Sequence, residues 1–409
     1  MDNLGMPRDI YLPLYGRLQH GSHEDMAWDL YQTPEVSRLR DISLACTPSR
    51  YVPHGQAANR FQHSVGASVL ARMLSSSQEE LKDKQNLLVA CCLLHDSASP
   101  PFSHIAEPFL HALTGQHHEQ AVAGIIQKEG PVRQALTEHS VSPKQVIETI
   151  CGQGLYGPLM AGSIDLDNLD NSLHLLISLG FAGKLPYSPK RLVKAFRFEN
   201  SKASIALDEL SLQQLLGWRA ARSELYGRLG SLVYLSSTSM LYRAIDLCDQ
   251  QTALGEDFFS LDETQALAHL QESCEQSRML LESLATWRQY PCLLWLASSE
   301  QDPRVSAIYG DTEARRRAAN RLAEILEIPA HHLCLYAGKA KGNKAIDLPF
   351  EGQKQLVAAA EQAFAATAPG QQVSVFIEKS HALSSQRVMA AWQVVLDSLP
   401  EAPESHCFF

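Results

Sequence analysis

Apolar residues recur every three or four positions through most of the first 290 residues of the chain. This spacing places them on one face of an α-helix. The loops between the apolar segments are short and rich in Ser, Gly and Pro, which end helices. The pattern therefore predicts a helical body with helices at residues 65–74, 87–94, 105–113, 207–216, 229–247 and 261–284.

The pattern changes after Pro291. Short apolar and strand-like runs at residues 292–297, 332–336 and 373–377 alternate with helical segments at residues 313–326, 354–365 and 386–399. We therefore expect a mainly α fold with two domains, a helical body at residues 1–290 and a small C-terminal α/β lobe at residues 291–409. Residues 400–409 show no pattern, and we expect a loose tail there.

The chain of 409 residues is acidic, with 45 Asp and Glu against 35 Lys and Arg and a formal net charge of −10. An extended binder of the phosphate backbone needs a basic face, so nucleic acid is not an expected partner. No run approaches the roughly 18 consecutive apolar residues of a membrane span, and the first residues lack the pattern of a signal peptide. These features predict a cytoplasmic protein that does not enter a membrane.

The candidate chemistry lies in three polar segments near predicted helix ends. The first contains His63, the second contains the pair His95 and Asp96 after an apolar run, and the third contains Asp167. A divalent ion that activates water and binds a phosphate oxygen is suited by mixed imidazole and carboxylate ligands, which leave it Lewis-acidic. These four side chains could therefore converge on one metal ion.

The order of these segments resembles the HD superfamily of metal-dependent phosphohydrolases, and most of all its deoxynucleoside-triphosphate triphosphohydrolase branch. That branch carries approximately RFEHSLG, HDIGHxPFSH, HE and DxDxxDY. The corresponding segments here read NRFQHSVG, LLHDSASPPFSH, HHEQ and DLDNLD. The resemblance implies an HD-domain helical core with one divalent metal ion, held by His63, His95, Asp96 and Asp167.

The resemblance also implies roles for other residues. His104 would face the scissile phosphate and protonate the leaving oxygen. Glu107 replaces an aspartate of the family and His118 matches the histidine of its HE pair, so both would move protons or orient His104. Arg60 would contact a phosphate or, alternatively, pair with a carboxylate of the motif. Tyr234 would bind substrate from a later helix.

Several positions depart from the pattern of the branch. Ser99 stands where the branch usually has a histidine after the His-Asp pair, and Asn168 replaces a lysine that the branch has beside the last metal ligand. The branch also has a tyrosine and an aspartate associated with deoxyribose recognition, and these are replaced here around Asn171 and Leu175. Leu44 aligns near a glutamine of the branch that contacts the sugar, and Ser236 and Ser237 replace two basic residues near the later helix. These changes remove partners for a sugar hydroxyl and for a polyphosphate, so we expect an altered substrate pocket.

These observations predict a metal-dependent phosphohydrolase that acts on a nucleotide or a related phosphate ester, with Mn, Fe, Mg, Ni or Zn as its metal. One alternative is a degenerate HD protein that binds a nucleotide or a partner without turnover. Another is a dinuclear HD enzyme, including an oxygenase, in which His118 and His139 supply further ligands. Relatives of the branch often form homo-oligomers, so a homo-oligomer is an assembly to test.

Overall fold

The structure is a computed structural model that describes residues 8–20, 25–52, 58–340, 344–366 and 370–399. The predicted tail at residues 400–409 lies outside the described residues. Helices dominate and the sheets are small, which confirms the predicted mainly α fold class. The helices within the described ranges are α1 Met26–Tyr31, α2 Pro34–Arg38, α3 Arg60–Ser77, α4 Gln85–Leu94, α5 Glu107–Thr114, α6 His118–Gln127, α7 Pro131–Glu138, α8 Pro143–Ile150, α9 Leu166–Ser178, α10 Pro189–Leu192, α11 Glu209–Leu229, α12 Leu232–Thr252, α13 Glu256–Phe259, α14 Glu263–Ser273, α15 Glu275–Ala285, α16 Pro303–Gly310, α17 Thr312–Leu326, α18 Lys354–Ala363 and α19 Ser385–Ser398.

Several predicted helices differ from the structure in their bounds; the segment predicted at residues 207–216, for example, continues to Leu229 in α11. Two of the differences have a clear local cause. The segment predicted at residues 229–247 begins only at α12, because the Ser231 side chain caps that helix. The segment predicted at residues 261–284 is two helices, α14 and α15, which meet at Cys274 in an extended conformation. The apolar spacing continues through both places, so caps rather than periodicity decide where these helices begin.

The strands are β1 Asp9–Leu12, β2 Gly16–Gln19, β3 Phe196–Glu199, β4 Lys202–Leu207, β5 Cys292–Ser298, β6 Leu333–Ala340, β7 Phe350–Gly352 and β8 Gly370–Ile377. β1 and β2 form an antiparallel hairpin. The three strands predicted after Pro291 are present and form an antiparallel sheet in the order β5–β8–β6. The helices α16, α17 and α19 share one apolar core with this sheet.

A third sheet joins distant parts of the chain, and the sequence pattern did not predict it. β3 and β4 form a hairpin, and β7 pairs with β4 in parallel. Ala360 of α18 and Phe364, which directly follows that helix, belong to the core of the helical body, and the Phe364 ring lies against Trp218 with ring centroids 6.1 Å apart. Residues 344–366 thus pack partly into that body, while the division into domains 1–290 and 291–409 stays a prediction.

The largest apolar core surrounds α3, α4 and α9. Every residue from Leu87 to Leu94 is buried, so α4 lies inside this core. The helix α3 packs against both α4 and α9, which brings the polar ends of the three helices together. No helix among the described residues combines the length and the apolar character that a membrane span requires.

Candidate metal centre

Three helix ends carry the predicted metal ligands. The Asn59 side chain caps α3, and His63 lies in the first turn of that helix. Asp165 caps α9 in the same way, and Asp167 lies in the first turn there. The helix α4 ends directly before His95. Side-chain caps fix where a helix begins, so the local sequence sets the position of each ligand along its helix.

The donor atoms of these ligands lie close together. The Nε2 atom of His63 is 3.3 Å from Nε2 of His95 and 2.8 Å from Oδ1 of Asp167. The His95 Nε2 atom is 3.8 Å from the same Asp167 oxygen and 3.5 Å from Oδ2 of Asp96. Ligand bonds of about 2.0–2.2 Å place neighbouring donors about 3 Å apart. The donor atoms of His63, His95 and Asp167 all lie within 4.8 Å of one another and therefore fit a single divalent ion, and Asp96 approaches this group through His95.

The two carboxylate oxygens of Asp96 have different surroundings. Oδ1 accepts hydrogen bonds from the Arg60 guanidinium and from the Ser99 hydroxyl, and it lies 3.6 Å from Nε2 of His118. Oδ2 is buried and has no hydrogen-bond partner among the described residues. Burial by itself would raise the pKa of Asp96, but Arg60 together with the neighbouring histidines outweighs it and holds that pKa well below its usual range. A buried, ionised oxygen without a partner is costly, and a cation beside His95 would satisfy it.

Asp170 orients the ring of His63. The His63 Nδ1–H donates to Asp170 Oδ2 at 2.8 Å, and Tyr15 and His174 donate to the same carboxylate. With Nδ1 protonated, the Nε2 atom of His63 can present its lone pair to a metal. Burial lowers the pKa of His63, but the carboxylates of Asp167 and Asp170 outweigh it and raise the pKa to about 10. The site therefore attracts positive charge, which a divalent ion can supply in place of a proton.

A glycine allows this contact between α3 and α9. A Cβ atom on Gly66 would overlap Asp170 Oδ1 and lie 2.8 Å from Cε2 of Tyr15. Both neighbours are themselves buried and hydrogen-bonded to each other. The absence of a side chain at Gly66 therefore lets the Asp170 carboxylate approach the first turns of α3.

His95 is oriented by the backbone of its own helix. Its Nδ1–H donates to the carbonyl oxygen of Cys92 at 2.8 Å. The Nε2 atom is thereby left to face His63 and Asp167. Both candidate histidine ligands thus present Nε2, each because a fixed acceptor holds the other ring nitrogen.

No role was predicted from the sequence for Asp170, His174 or Tyr15. A signal for the first two was present, because Asp167, Asp170 and His174 are three and four residues apart and such spacing places side chains on one face of a helix. Tyr15 carried no such signal, since it lies 155 residues from Asp170 in the chain.

His104, Glu107 and His118 form a hydrogen-bonded chain beside the ligands. The Nδ1–H of His104 donates to Glu107 Oε2 at 2.8 Å, and the Nδ1–H of His118 donates to Glu107 Oε1 at 2.6 Å. The side chain of His104 is 61% exposed, that of Glu107 14% and that of His118 6%. Through His118 the chain reaches Asp96. It therefore connects solvent with a candidate metal ligand.

Opposite charges stabilise this group of hydrogen-bonded side chains. Burial raises the pKa of Glu107, but the histidines His104 and His118 outweigh it and hold that pKa far below its usual range. Burial lowers the pKa of His118, but Asp96 and Glu107 outweigh it and raise the pKa to about 10. Glu107 is therefore an anion between two imidazoles, which suits it to position them or to accept a proton from them.

The turn before His104 has an unusual backbone. Phe102 and Ser103 have φ angles of 63° and 52°, in the left-handed region that residues with a Cβ rarely adopt. Burial of Phe102 and two hydrogen bonds of Ser103 hold the turn: its hydroxyl accepts from Arg60 Nε at 2.8 Å and donates to the Ser43 carbonyl at 3.0 Å. The turn thus connects the hydrogen-bonded side chains His104, Glu107 and His118 to the candidate ligand Asp96 through Arg60.

The remaining predicted residues lie as follows. The buried Arg60 guanidinium forms an ion pair with Asp96, which was the alternative prediction for this residue. Its contact with a phosphate stays a prediction. The Tyr234 hydroxyl is buried and donates to the Ala45 carbonyl, and its contact with substrate stays a prediction. His139, considered for a dinuclear site, lies instead 2.8 Å from the Asp29 carboxylate.

Two curated relatives are similar to parts of this chain. The uncharacterized protein MJ1154 of Methanocaldococcus jannaschii is 26% identical over 245 residues, which are 58% of this chain and 47% of the relative. The uncharacterized protein YwfO of Bacillus subtilis is 33% identical over 156 residues, which are 36% of this chain and 35% of the relative. The matched regions thus span less than half the length of either relative.

The fold is similar to that of a solved structure. The crystal structure of a hypothetical protein from Aquifex aeolicus at 2.0 Å resolution matches with a TM-score of 0.67 and 18% sequence identity, over 95% of this chain and 99% of that chain. At this identity the likeness concerns the fold.

The family model of the HD domain matches residues 60–152. This range contains His63, His95 and Asp96 together with the whole hydrogen-bonded chain from His104 to His118, while Asp167 lies beyond its end. Residues 60–152 therefore match an HD domain, which supports a place for the chain in the HD superfamily.

Proposed function

We propose that this protein is a metal-dependent phosphohydrolase that acts on a nucleotide or a related phosphate ester. The observation that carries the proposal is the buried oxygen Oδ2 of Asp96, which has no hydrogen-bond partner in the part of the chain that the structure describes. It lies beside the imidazole of His95, and the other oxygen of the same carboxylate faces the hydrogen-bonded chain that ends at the exposed His104. Metal-binding groups and a proton-transfer group thus meet at one carboxylate.

His63, His95, Asp96 and Asp167 would hold the divalent ion. When bound, the ion supplies Lewis acidity toward a phosphate oxygen and lowers the pKa of a coordinated water molecule. Imidazole and carboxylate ligands suit Mn, Fe, Mg, Ni and Zn, so the donor set does not select one of them.

The hydrogen-bonded side chains of His104, Glu107 and His118 would transfer the protons. His104 is exposed and bonded to Glu107 through Nδ1, so its Nε2 atom can give a proton to the oxygen that leaves phosphorus. Glu107 fixes the orientation of that ring and balances the positive charge of a protonated His104. His118 holds the opposite oxygen of Glu107, which keeps the carboxylate turned toward His104.

Arg60 would serve the site through its charge. Its guanidinium is buried next to Asp96 and is bonded to Ser103. A fixed positive charge at this place favours binding of a phosphate group and stabilises charge that develops on it during reaction. Contact of Arg60 with a phosphate oxygen, and of Tyr234 with substrate, belong to this proposal.

The substrate class is proposed as a nucleotide on the resemblance to the deoxynucleoside-triphosphate triphosphohydrolase branch. The side chain of Ser99 points its hydroxyl at Asp96, 3.2 Å from Oδ1, and so takes a place near the metal ligands where the branch has a histidine. The Asn168 side chain forms hydrogen bonds with Asp165, which caps α9, and with Arg222. It does not supply the positive charge of the lysine that the branch has at this position. These changes favour a substrate pocket that differs from that of the branch.

The experiment is a release assay on metal-loaded, full-length protein with a panel of nucleoside mono- and triphosphates. Products are separated as phosphate, pyrophosphate or triphosphate, so the leaving group names the substrate class. We expect release by wild type and loss of it in His95→Ala and Asp167→Ala, with near wild-type activity in His269→Ala, whose side chain is exposed on α14. Full activity in either ligand variant would contradict the proposal. Nucleotide binding without turnover would favour the degenerate alternative.

A dinuclear centre is a second candidate, because His104, Glu107 and His118 also offer donor atoms within 4.8 Å of one another. This candidate requires Glu107 to hold metal. A Glu107→Ala protein that loses one metal equivalent relative to wild type would support it, and an unchanged metal content would exclude it.

A further inference from the structure

A second group of metal-ligating side chains lies at the end of the C-terminal sheet. His332, Glu378 and His381 offer donor atoms that all lie within 4.8 Å of one another, and each residue is partly exposed. The Nδ1 atom of His332 is 2.8 Å from Nε2 of His381. We propose that these three residues form a binding site for a divalent transition-metal ion, with Zn²⁺ as the best match.

The backbone fixes the three ligands relative to one another. His332 directly precedes β6 and Glu378 directly follows β8, and in this antiparallel pair Leu333 lies opposite Ile377. The two ligands are therefore opposite each other, and the Glu378 N–H donates to the His332 carbonyl at 2.9 Å. The His381 N–H donates to the Glu378 carbonyl at 3.3 Å and closes the turn. The ligands thus sit on paired strands and a hydrogen-bonded turn.

The Glu378 carboxylate is held in place. Ser380 donates to its Oε2 atom through the backbone N–H, at 2.7 Å, and through its hydroxyl. Both donors lie in the same turn as His381. The carboxylate is therefore oriented before any ion binds, which reduces the entropy lost on binding.

The donor set matches zinc. Two histidines and one glutamate, with a fourth position open to water, form a known type of tetrahedral zinc site. Zinc–nitrogen bonds of about 2.0–2.1 Å place two imidazole nitrogens about 3.3 Å apart. The His332 and His381 nitrogens are closer than this, at hydrogen-bond distance. A small rotation of either ring would admit the ion, with each ring keeping one proton on its other nitrogen.

An ion at this site would tie the first residue before β6 to the turn after β8. The ligand set would bind the native chain and not the unfolded chain, so the metal would stabilise the sheet by mass action. The proposal does not depend on the proposed hydrolase function, because it shares no residue with the candidate metal centre.

The test is Zn²⁺ binding to full-length protein that has been freed of metal with a chelator. Bound equivalents are counted by elemental analysis and affinities by calorimetry at pH 7.5. We expect His332→Ala and His381→Ala each to bind one equivalent fewer than wild type, or to bind it at least about tenfold more weakly. His95→Ala, which alters the candidate metal centre, should keep this equivalent.

Two further variants distinguish a loss of Zn²⁺ binding that follows removal of a ligand from a loss caused by misfolding. Glu378→Gln keeps the shape of the side chain and should weaken the same equivalent, while His331→Ala, whose ring lies against His332 with centroids 4.2 Å apart, should leave it unchanged. Titration with Co²⁺ should give the intense visible absorption of a tetrahedral ion in His95→Ala protein and not in protein that carries both His95→Ala and His381→Ala. Wild-type stoichiometry and affinity in both His332→Ala and His381→Ala would overturn the proposal, as would loss in His331→Ala alone.

Discussion

Asp170 Oδ2 accepts a hydrogen bond from Nδ1 of His63 at 2.8 Å, and both side chains are buried. The contact fixes which nitrogen His63 turns toward the other candidate ligands. Tyr15 and His174 donate to the same carboxylate, so three donors share its two oxygens. A metal site depends on such outer contacts for the orientation and basicity of its ligands.

Asp170→Asn should therefore weaken metal binding without removing a ligand. The amide has one acceptor oxygen for three donors, so at least one of them loses its partner and the His63 ring is less firmly held. We expect a metal Kd about 10–100-fold higher than in wild type, measured by calorimetry with Mn²⁺. Tyr15→Phe removes a single donor and should have a smaller effect. An unchanged Kd in Asp170→Asn protein would show that the contact does not support the site.

Gly66→Ala should reduce both stability and metal affinity. The new Cβ would overlap the Asp170 carboxylate and must push α9 and α3 apart. We expect a loss of about 1–3 kcal/mol in the free energy of unfolding, measured with urea. Gly124→Ala is the matched control, since Gly124 is exposed on α6 with open space around it. That change should stabilise the protein by about 0.5–1 kcal/mol, and equal effects at the two positions would refute the packing argument.

Glu107→Gln should separate catalysis from metal binding. The amide cannot balance a charged His104 or accept from both histidines, so a proton-transfer step should slow. If the proposed hydrolase activity is present, kcat should fall by about 100-fold or more while the bound metal per chain stays at the wild-type value. Glu119→Gln changes a more exposed carboxylate near His118 and should keep most of the activity. A parallel fall of metal content and kcat in Glu107→Gln protein would instead favour Glu107 as a ligand.

Glu263 should make stability depend on pH. Burial raises its pKa to about 7, although hydrogen bonds from Ser43 act in the opposite direction. The folded chain thus binds this proton more tightly than the unfolded chain, so the stabilising contribution is full below about pH 4.5 and is lost as the pH rises through 7. Relative to wild type, Glu263→Gln should gain about 3 kcal/mol in the free energy of unfolding between pH 4.5 and pH 8.5. Urea titrations of both proteins across this range provide the measurement, and parallel pH profiles would contradict the assignment.

Local features were predictable from the sequence because neighbouring residues encode them. The helical segments follow from apolar spacing, and the caps Asn59 and Asp165 mark the beginnings of α3 and α9. The strands after Pro291 follow from short apolar runs. The metal ligands were proposed through motif order, and the structure places His63, His95 and Asp167 within reach of one ion. The role of each of these residues in catalysis stays a prediction.

Contacts between distant segments were decided only by the tertiary structure. Tyr15 meets Asp170 because α3 and α9 approach closely at Gly66. The pairing of β7 with β4 joins segments more than 140 residues apart in the chain, which no local pattern encodes.

The same holds for the pair His332 and His381, which antiparallel strands bring together. The sequence by itself determined most of the helical segments and the types of side chain available for a metal. Which polar groups share a carboxylate and which oxygen is left without a partner depend on how the helices pack, since that is set by the whole core and not by any single segment.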